Sequence, residues 1–247
     1  MFCDPRALIK TQSRLHRPDG TFIERGTAME QTNTSESLYA IINGTVYTPK
    51  AVIADGVVVI VGGRIQAVGP RAVVCIPPQA EVIDAAGRRV VPGFIDLHIH
   101  GLEGYDAMQG EDAVREMAAR LPRYGVTAFL PTTIAAPPEQ TEEILAGIAA
   151  AIAAHPPGAR PLGIHMEGPY LSPRQPGMMN PAFFRPWDEK EFRRLWPASQ
   201  WQVRMVTLAP EEGDNMAAVS FLAERDIVPA IGHSDATFAQ VLSLIHI

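Results

Sequence analysis

From Pro92-Gly93 onward the chain alternates short apolar runs with longer amphipathic stretches, and no other feature restricts its fold as much. The apolar runs are 94–100, 126–131, 162–167, 203–208 and 227–232. Between them lie stretches with helical spacing. Over 111–124, Val114, Met117, Ala118 and Leu121 recur at i, i+3, i+4 and i+7, and Gly125 ends the run. Over 138–154, Ile144, Ile148 and Ile152 stand four apart. Further helices are predicted over 188–196 and 215–225, with a last one capped by Asp235. Buried strands alternating with amphipathic helices predict a parallel α/β packing. A barrel and an open doubly wound sheet both fit the alternation. Polar residues gather at the C-terminal ends of at least three of the five predicted strands, which favours the barrel.

Before Pro92 the rhythm is different. Tyr39–Tyr47, Gly56–Val61, Arg64–Val68, Glu81–Asp84 and Arg89–Val91 read as short strands of a small all-β module over 38–90. Gly62-Gly63 between two of them predicts a tight hairpin, because glycine accepts the positive φ that primed turns require. Residues 1–37 are polar and irregular and are expected to be a disordered leader, with Met29 a candidate true start. A formal net charge of −6 leaves no basic field for nucleic acid or an anionic membrane surface. No apolar run reaches the roughly 20 residues of a membrane span, and no targeting segment opens the chain, so a cytoplasmic protein is expected. The two cysteines, Cys3 and Cys75, have no zinc-ribbon spacing, and so few suit a reducing compartment. Cys75, in an apolar stretch, is expected to be buried. Trp187, Trp196 and Trp201 are expected to be packing residues, and His155 an exposed helix terminus.

The chemistry-bearing residues stand at strand ends. In Phe94-Ile95-Asp96-Leu97-His98-Ile99-His100-Gly101, residues i and i+2 of a strand face one way, so His98 and His100 project together. Two neutral imidazoles so placed can hold one divalent cation. Two unrelated histidines would read the same from this stretch alone. His165-Met166-Glu167-Gly168-Pro169 ends the third predicted strand, with His165 and Glu167 sharing a face. A surface glutamate is the plainer reading of Glu167 by itself. Ile231-Gly232-His233-Ser234-Asp235 ends the fifth, where His233 is either a ligand or the lead-in to a capped helix. Three separate strand ends offering ligand-type side chains make a metal site the expected reading.

These stretches resemble the amidohydrolase superfamily, and within it the N-acetylglucosamine-6-phosphate deacetylases. Val91 to Gly101 resembles the superfamily's first-strand motif. The narrower likeness lies in His165-Met166-Glu167-Gly168-Pro169-Tyr170-Leu171, Leu208-Ala209-Pro210-Glu211 and Gly232-His233-Ser234-Asp235-Ala236-Thr237, which follow that family's order. The resemblance spans about 38–242. It implies a partial (β/α)8 TIM-type barrel, about five of eight strands, with a small N-terminal β-sandwich module. It implies removal of acetate from a phosphorylated amino sugar, N-acetylglucosamine 6-phosphate. Glu167 and His233 are implied as ligands of the main metal, with Glu167 bridging to a second metal held by His98 and His100. The cofactor is thus one or two divalent ions, zinc first, with iron, manganese or cobalt also suited to these donors. Substrate-contact positions fall on Met178 and Met179. Met179 departs from the His or Gln usual in the family, and methionine donates no hydrogen bond to a sugar or carbonyl. A homodimer is implied as well.

Dihydroorotases and hydantoinases resemble this fold but bridge their metals with a carboxylated lysine on a barrel strand. The three lysines here, Lys10, Lys50 and Lys190, lie on no predicted barrel strand, and the resemblance implies Glu167 as the bridging anion instead. No catalytic aspartate of the kind the resemblance implies, which would protonate the leaving amine, occurs within the chain. The implied later metal ligand and phosphate-contacting residues are missing too. Leu242 to Ile247 reads like a translated sequencing adapter, so 243–247 is expected to be a non-native tail and His246 is not counted as a ligand. The alternatives kept open are an amidohydrolase acting on another amide or an aminopurine, and an inactive fragment.

Overall fold

The computed structural model describes residues 37–243. The expectations for 1–36 and for 244–247 lie outside them. The chain divides into two compact units, one ending at Pro92 and the other beginning at Gly93.

The first unit is a mixed sheet. β1 (Leu38–Tyr47) pairs antiparallel with β2 (Val52–Val61), and β2 with β3 (Arg64–Pro70). β4 (Glu81–Asp84) and β5 (Arg89–Val90) both run parallel to β1. Among the described residues of the first unit, all five strands belong to this one sheet. Gly62 and Gly63 turn the β2–β3 hairpin at φ of 56° and 74°, the left-handed pair the sequence predicts. β2 begins earlier than expected. A turn closed by Thr48 and Ala51 starts the pairing, and Asp55 at φ 46° bends the strand without ending it. Cys75 is exposed, contrary to expectation: it follows β3 in a loop where apolar neighbours such as Val73 also face outward.

The second unit opens with β6 (Phe94–Ile99). After it come a small hairpin of β7 (Gly101–Leu102) and β8 (Tyr105–Asp106), α1 (Glu111–Arg120) and β9 (Val126–Thr133). Then follow α2 (Pro138–Ala153), β10 (Arg160–Pro161), β11 (Ile164–Glu167), α3 (Glu189–Ala198), β12 (Val203–Leu208), α4 (Asn215–Ala223), β13 (Val228–Ile231) and α5 (Phe238–Ser243). β6, β9, β11, β12 and β13 pair in chain order, all parallel, with β10 also beside β9. Strand order equal to chain order is the winding of a barrel. A doubly wound sheet would reverse direction at a switch point, so the ambiguity left by the alternation is resolved.

The helical faces read from the sequence are the buried ones. Val114, Met117, Ala118 and Leu121 are at most 2% exposed, and Ile144 and Ile148 join them beneath α2. Leu145, fully buried, widens that stripe. Among the described residues β6 and β13 each have a strand neighbour on one side only, and their apolar side chains Phe94, Ile95, Leu97, Val228 and Ile231 are exposed. Trp187 is in the core and Trp196 packs against it, but Trp201 is exposed. Trp201 sits at φ 57° in the turn after α3, past the end of the helix's packed face. Asp235 does not cap α5. Thr237 does: its hydroxyl accepts from the Gln240 amide, and the Gln240 side chain accepts from the Thr237 amide in return.

Candidate metal centre

All four expected ligands stand at the C-terminal ends of second-unit strands. His98 lies on β6 and His100 just past it, so the strand's alternation turns both rings to one side. Glu167 is the last residue of β11, and His233 follows β13 by two residues. The Glu167 carboxylate joins them. One oxygen lies 3.0 Å from His100 Nε2, and the other 3.1 Å from His233 Nε2 and 3.6 Å from His98 Nε2. His98 Nε2 and His100 Nε2 are 3.1 Å apart. Donor atoms of His98, His100 and Glu167 all fall within 4.8 Å of one another.

The orientation of the rings is set by their other nitrogens. His100 donates its Nδ1–H to the Thr132 carbonyl at 3.1 Å, and His233 donates its own to the Gln175 carbonyl at 2.8 Å. A carbonyl can only accept, so each Nδ1 carries a proton, and each Nε2 turns its lone pair toward the centre when the ring is neutral. Ligand imidazoles are held in this way by backbone acceptors. A tetrahedral site with bonds of about 2.0–2.1 Å places its donors about 3.3 Å apart. The observed 3.0–3.6 Å separations match that spacing, and His98, His100 and Glu167 together fit a divalent cation, with His233 joined to them through one Glu167 oxygen.

Electrostatics agree. Burial pushes the Glu167 carboxyl upward, but the hydrogen bond from His100 and the fields of His98, His100 and His233 outweigh it, leaving its pKa below the ordinary value. His100 is raised above 6.5, chiefly by its hydrogen bond to Glu167. In the metal-free chain a proton on His100 supplies positive charge beside the carboxylate.

His165, on the same face of β11 as Glu167, also points inward but is not free to ligate. Its Nδ1 meets the Leu97 carbonyl at 2.8 Å and its Nε2 the Thr207 hydroxyl at 2.7 Å. Burial lowers its pKa to about 4, so the ring is neutral near neutral pH. Met178 and Met179 part company. Met178 is fully exposed, whereas Met179 is buried against Ala135 and Leu171, with Phe183 and Phe184 alongside. Both lie on the loop after β11 that grips His233. In that loop the Ser172 amide donates to the His233 carbonyl at 2.9 Å, and a Cβ on Gly177 would stand 2.9 Å from His233 Cε1.

Several supporting residues escaped sequence reasoning. Buried Thr132 accepts from the Ile99 amide through its hydroxyl while its carbonyl orients His100. Glu211 accepts from the Ser234 hydroxyl at 2.7 Å and from the Asp235 amide, tying the turn after His233 to the end of β12. Asn215, fully buried, hydrogen-bonds to Trp187, Tyr170 and Ala209 and so gathers three loops at this end of the barrel. Polar residues just past strand ends were the available signal, but nothing in the sequence pairs them. An open groove lined by Pro138, Glu139, Arg185, Asp188, Lys190 and Glu191 includes none of the four donors.

The chain is similar to known proteins over much of its length. The sequence model of the amidohydrolase family matches residues 89–227. The chain is 34% identical over 201 residues to the N-acetylglucosamine-6-phosphate deacetylase of Bacillus subtilis, covering 78% of this chain and 50% of that protein. It is 34% identical over 165 residues to the N-acetylgalactosamine-6-phosphate deacetylase of Escherichia coli O157:H7, covering 66% of this chain and 44% of that protein. A solved N-acetyl-D-glucosamine-6-phosphate deacetylase from Mycobacterium smegmatis superposes with a TM-score of 0.76 at 33% identity, over 85% of this chain and 53% of the other. The chain spans about half the length of the relatives it matches. With the family's match running over more than half of its 247 residues, from β5 to the residue before β13, the chain belongs to the amidohydrolase family.

Proposed function

We propose that this chain is the metal-holding part of an enzyme that hydrolyses the N-acetyl amide of N-acetylglucosamine 6-phosphate, releasing acetate and glucosamine 6-phosphate, in amino-sugar catabolism. The observation that carries the reading is the Glu167 carboxylate set between His100 and His233, at 3.0 and 3.1 Å, with His98 alongside. The likeness to deacetylases of N-acetylated hexosamine phosphates supports the substrate class.

His98, His100, Glu167 and His233 would hold one or two divalent ions, zinc first. When bound, such an ion acidifies a water and polarises an amide carbonyl. The protein's own residues do the rest of the work. Thr132 and Gln175 keep the imidazole lone pairs aimed inward, and Glu167 supplies negative charge that draws the cation and holds the histidines around one point. Met178 and Met179 are the proposed substrate-side positions. Met178 is accessible, while the burial of Met179 leaves contact there to the backbone. Turnover is proposed for the protein that carries this region together with the remainder its relatives possess. The chain by itself is proposed to bind metal without turning over. A cytoplasmic location and a homodimer complete the reading, and no described helix is long and apolar enough to cross a membrane.

The test is acetate release from N-acetylglucosamine 6-phosphate by the longer protein from the same source, loaded with zinc and compared with its chelated form. Metal-dependent acetate release is expected. Release only from the galactosamine epimer would move the reading to that sugar. Release from neither would end it.

A further inference from the structure

We infer that His165 is a positioning residue that fixes the Leu97–His98 peptide, and through it the paired imidazoles of His98 and His100. The inference rests on the metal reading of the centre. Among the described residues β6 pairs only with β9, and its register with β9 breaks between Asp96 and Ile99. Leu97 and His98 occupy that break, so the segment that aims His98 has no ladder partner. Two side chains replace the ladder. The Leu97 carbonyl accepts from His165 Nδ1 at 2.8 Å, and the His98 amide donates to Asp96 Oδ1 at 3.1 Å. Both ends of one peptide unit are thereby fixed.

His165 reaches this carbonyl from β11, with β9 lying between the two strands. Its bond therefore crosses the inside of the barrel and does not lie in the sheet. The far side of the ring is anchored as well, because Nε2 accepts from the Thr207 hydroxyl on β12 at 2.7 Å. The carbonyl demands a proton on Nδ1, so the hydroxyl must be the donor at Nε2, and one neutral tautomer satisfies both partners. The His98 ring packs edge-on against the His165 ring at 4.9 Å and 87°. Without His165 the Leu97–His98 peptide can rotate, and His98 Nε2 leaves its place 3.1 Å from His100 Nε2.

The test uses the 247-residue chain and cobalt(II), titrated by visible absorption with bound metal counted after dialysis. His165→Leu is expected to weaken cobalt binding by roughly 10- to 100-fold, the usual cost of losing a residue that orients a ligand. His165→Asn, whose amide nitrogen sits near the Nδ1 position, is expected to restore most of the affinity. His165→Gln, whose amide reaches toward Thr207, is expected not to. Thr207→Val, which leaves the Leu97 bond intact, is expected to stay near the parent. A merely structural role would lower affinity in all variants in step with their metal-free melting temperatures, and that result overturns the inference. If His165→Leu does not fold, Asp96→Ala loosens the same peptide from its other end, and parental affinity in that variant overturns the inference equally. A parent chain that binds no cobalt removes the metal reading and this inference with it. A parent that binds while His165→Leu and His165→Gln match it removes this inference alone.

Discussion

Replacing Asn215 with alanine should be among the most damaging single changes in the second unit. The side chain is fully buried at the start of α4. Its Oδ1 accepts from the Trp187 amide at 2.8 Å, and its Nδ2 donates to the Tyr170 carbonyl at 3.0 Å and the Ala209 carbonyl at 2.7 Å. The three partners do not suffer equally. The Tyr170 carbonyl keeps the Ala209 amide at 2.8 Å, and the Ala209 carbonyl keeps the Glu212 amide at 3.2 Å. The Trp187 amide loses the partner that Asn215 provides. One stranded donor costs about 1–3 kcal/mol, and the two lost bonds with surviving alternatives about 1 kcal/mol each. The sum, about 3–5 kcal/mol, is a large part of the 5–15 kcal/mol that typically holds a domain. Asn215→Asp keeps the acceptor for Trp187 but sets a second oxygen against two carbonyl oxygens and buries a charge, so it should be at least as damaging at neutral pH. Urea melts of parent and variants measure both. A loss below about 0.5 kcal/mol in Asn215→Ala, within the range of an ordinary surface change, would refute the assignment.

Metal affinity should fall with acidity from a higher pH than a free histidine would give. The folded pKa of His100 is raised above 6.5 by Glu167, so a proton competes with the cation until pH exceeds that raised value. In the metal-free chain the same shift has the opposite sign: its stabilisation is complete below 6.5 and is lost as pH rises through the folded pKa. Cobalt titrations and metal-free melts across this range, in parallel, should therefore slope in opposite directions. Glu167→Gln should lower cobalt affinity by more than about a hundredfold, since losing even a residue that only orients a ligand costs roughly 10- to 100-fold; equilibrium dialysis reads this. Gly177→Ala places a side chain at φ 58° and a Cβ 2.9 Å from His233. The left-handed backbone alone costs about 1–2 kcal/mol, a drop of about 2–8 °C in melting temperature by calorimetry, with metal affinity falling as well.

The elements of the barrel were legible because burial imposes a period on the sequence. The stripe Val114, Met117, Ala118 and Leu121 could be read before any coordinates, and β12 runs over the predicted 203–208. The i, i+2 rule put His98 and His100 on one side, and the Gly-Pro turn after Glu167 marked a strand end. What stayed hidden depends on contacts distant in sequence. The bond from His165 to Leu97 spans 68 positions and that to Thr207 spans 42, and no local pattern reports either. Asp235 carried a cap signal yet faces Gln175 and Arg174, because Thr237, two residues on, holds the helix start. Local sequence misplaces Cys75 and Trp201: the apolar stretch around the cysteine and the helix beside the tryptophan predict a burial that neither has. Cys75 lies in the loop after β3 and Trp201 in the turn after α3, so neither stands on an element with a buried face.

Anomalous diffraction from crystals of the chain grown with zinc addresses the shared centre without intermediaries. A peak, or a close pair, should appear about 2.0–2.2 Å from the Glu167 carboxylate, one position shared with His98 and His100 and the other with His233. Zinc found elsewhere, or His233 turned away from Glu167 at full zinc saturation, would contradict it.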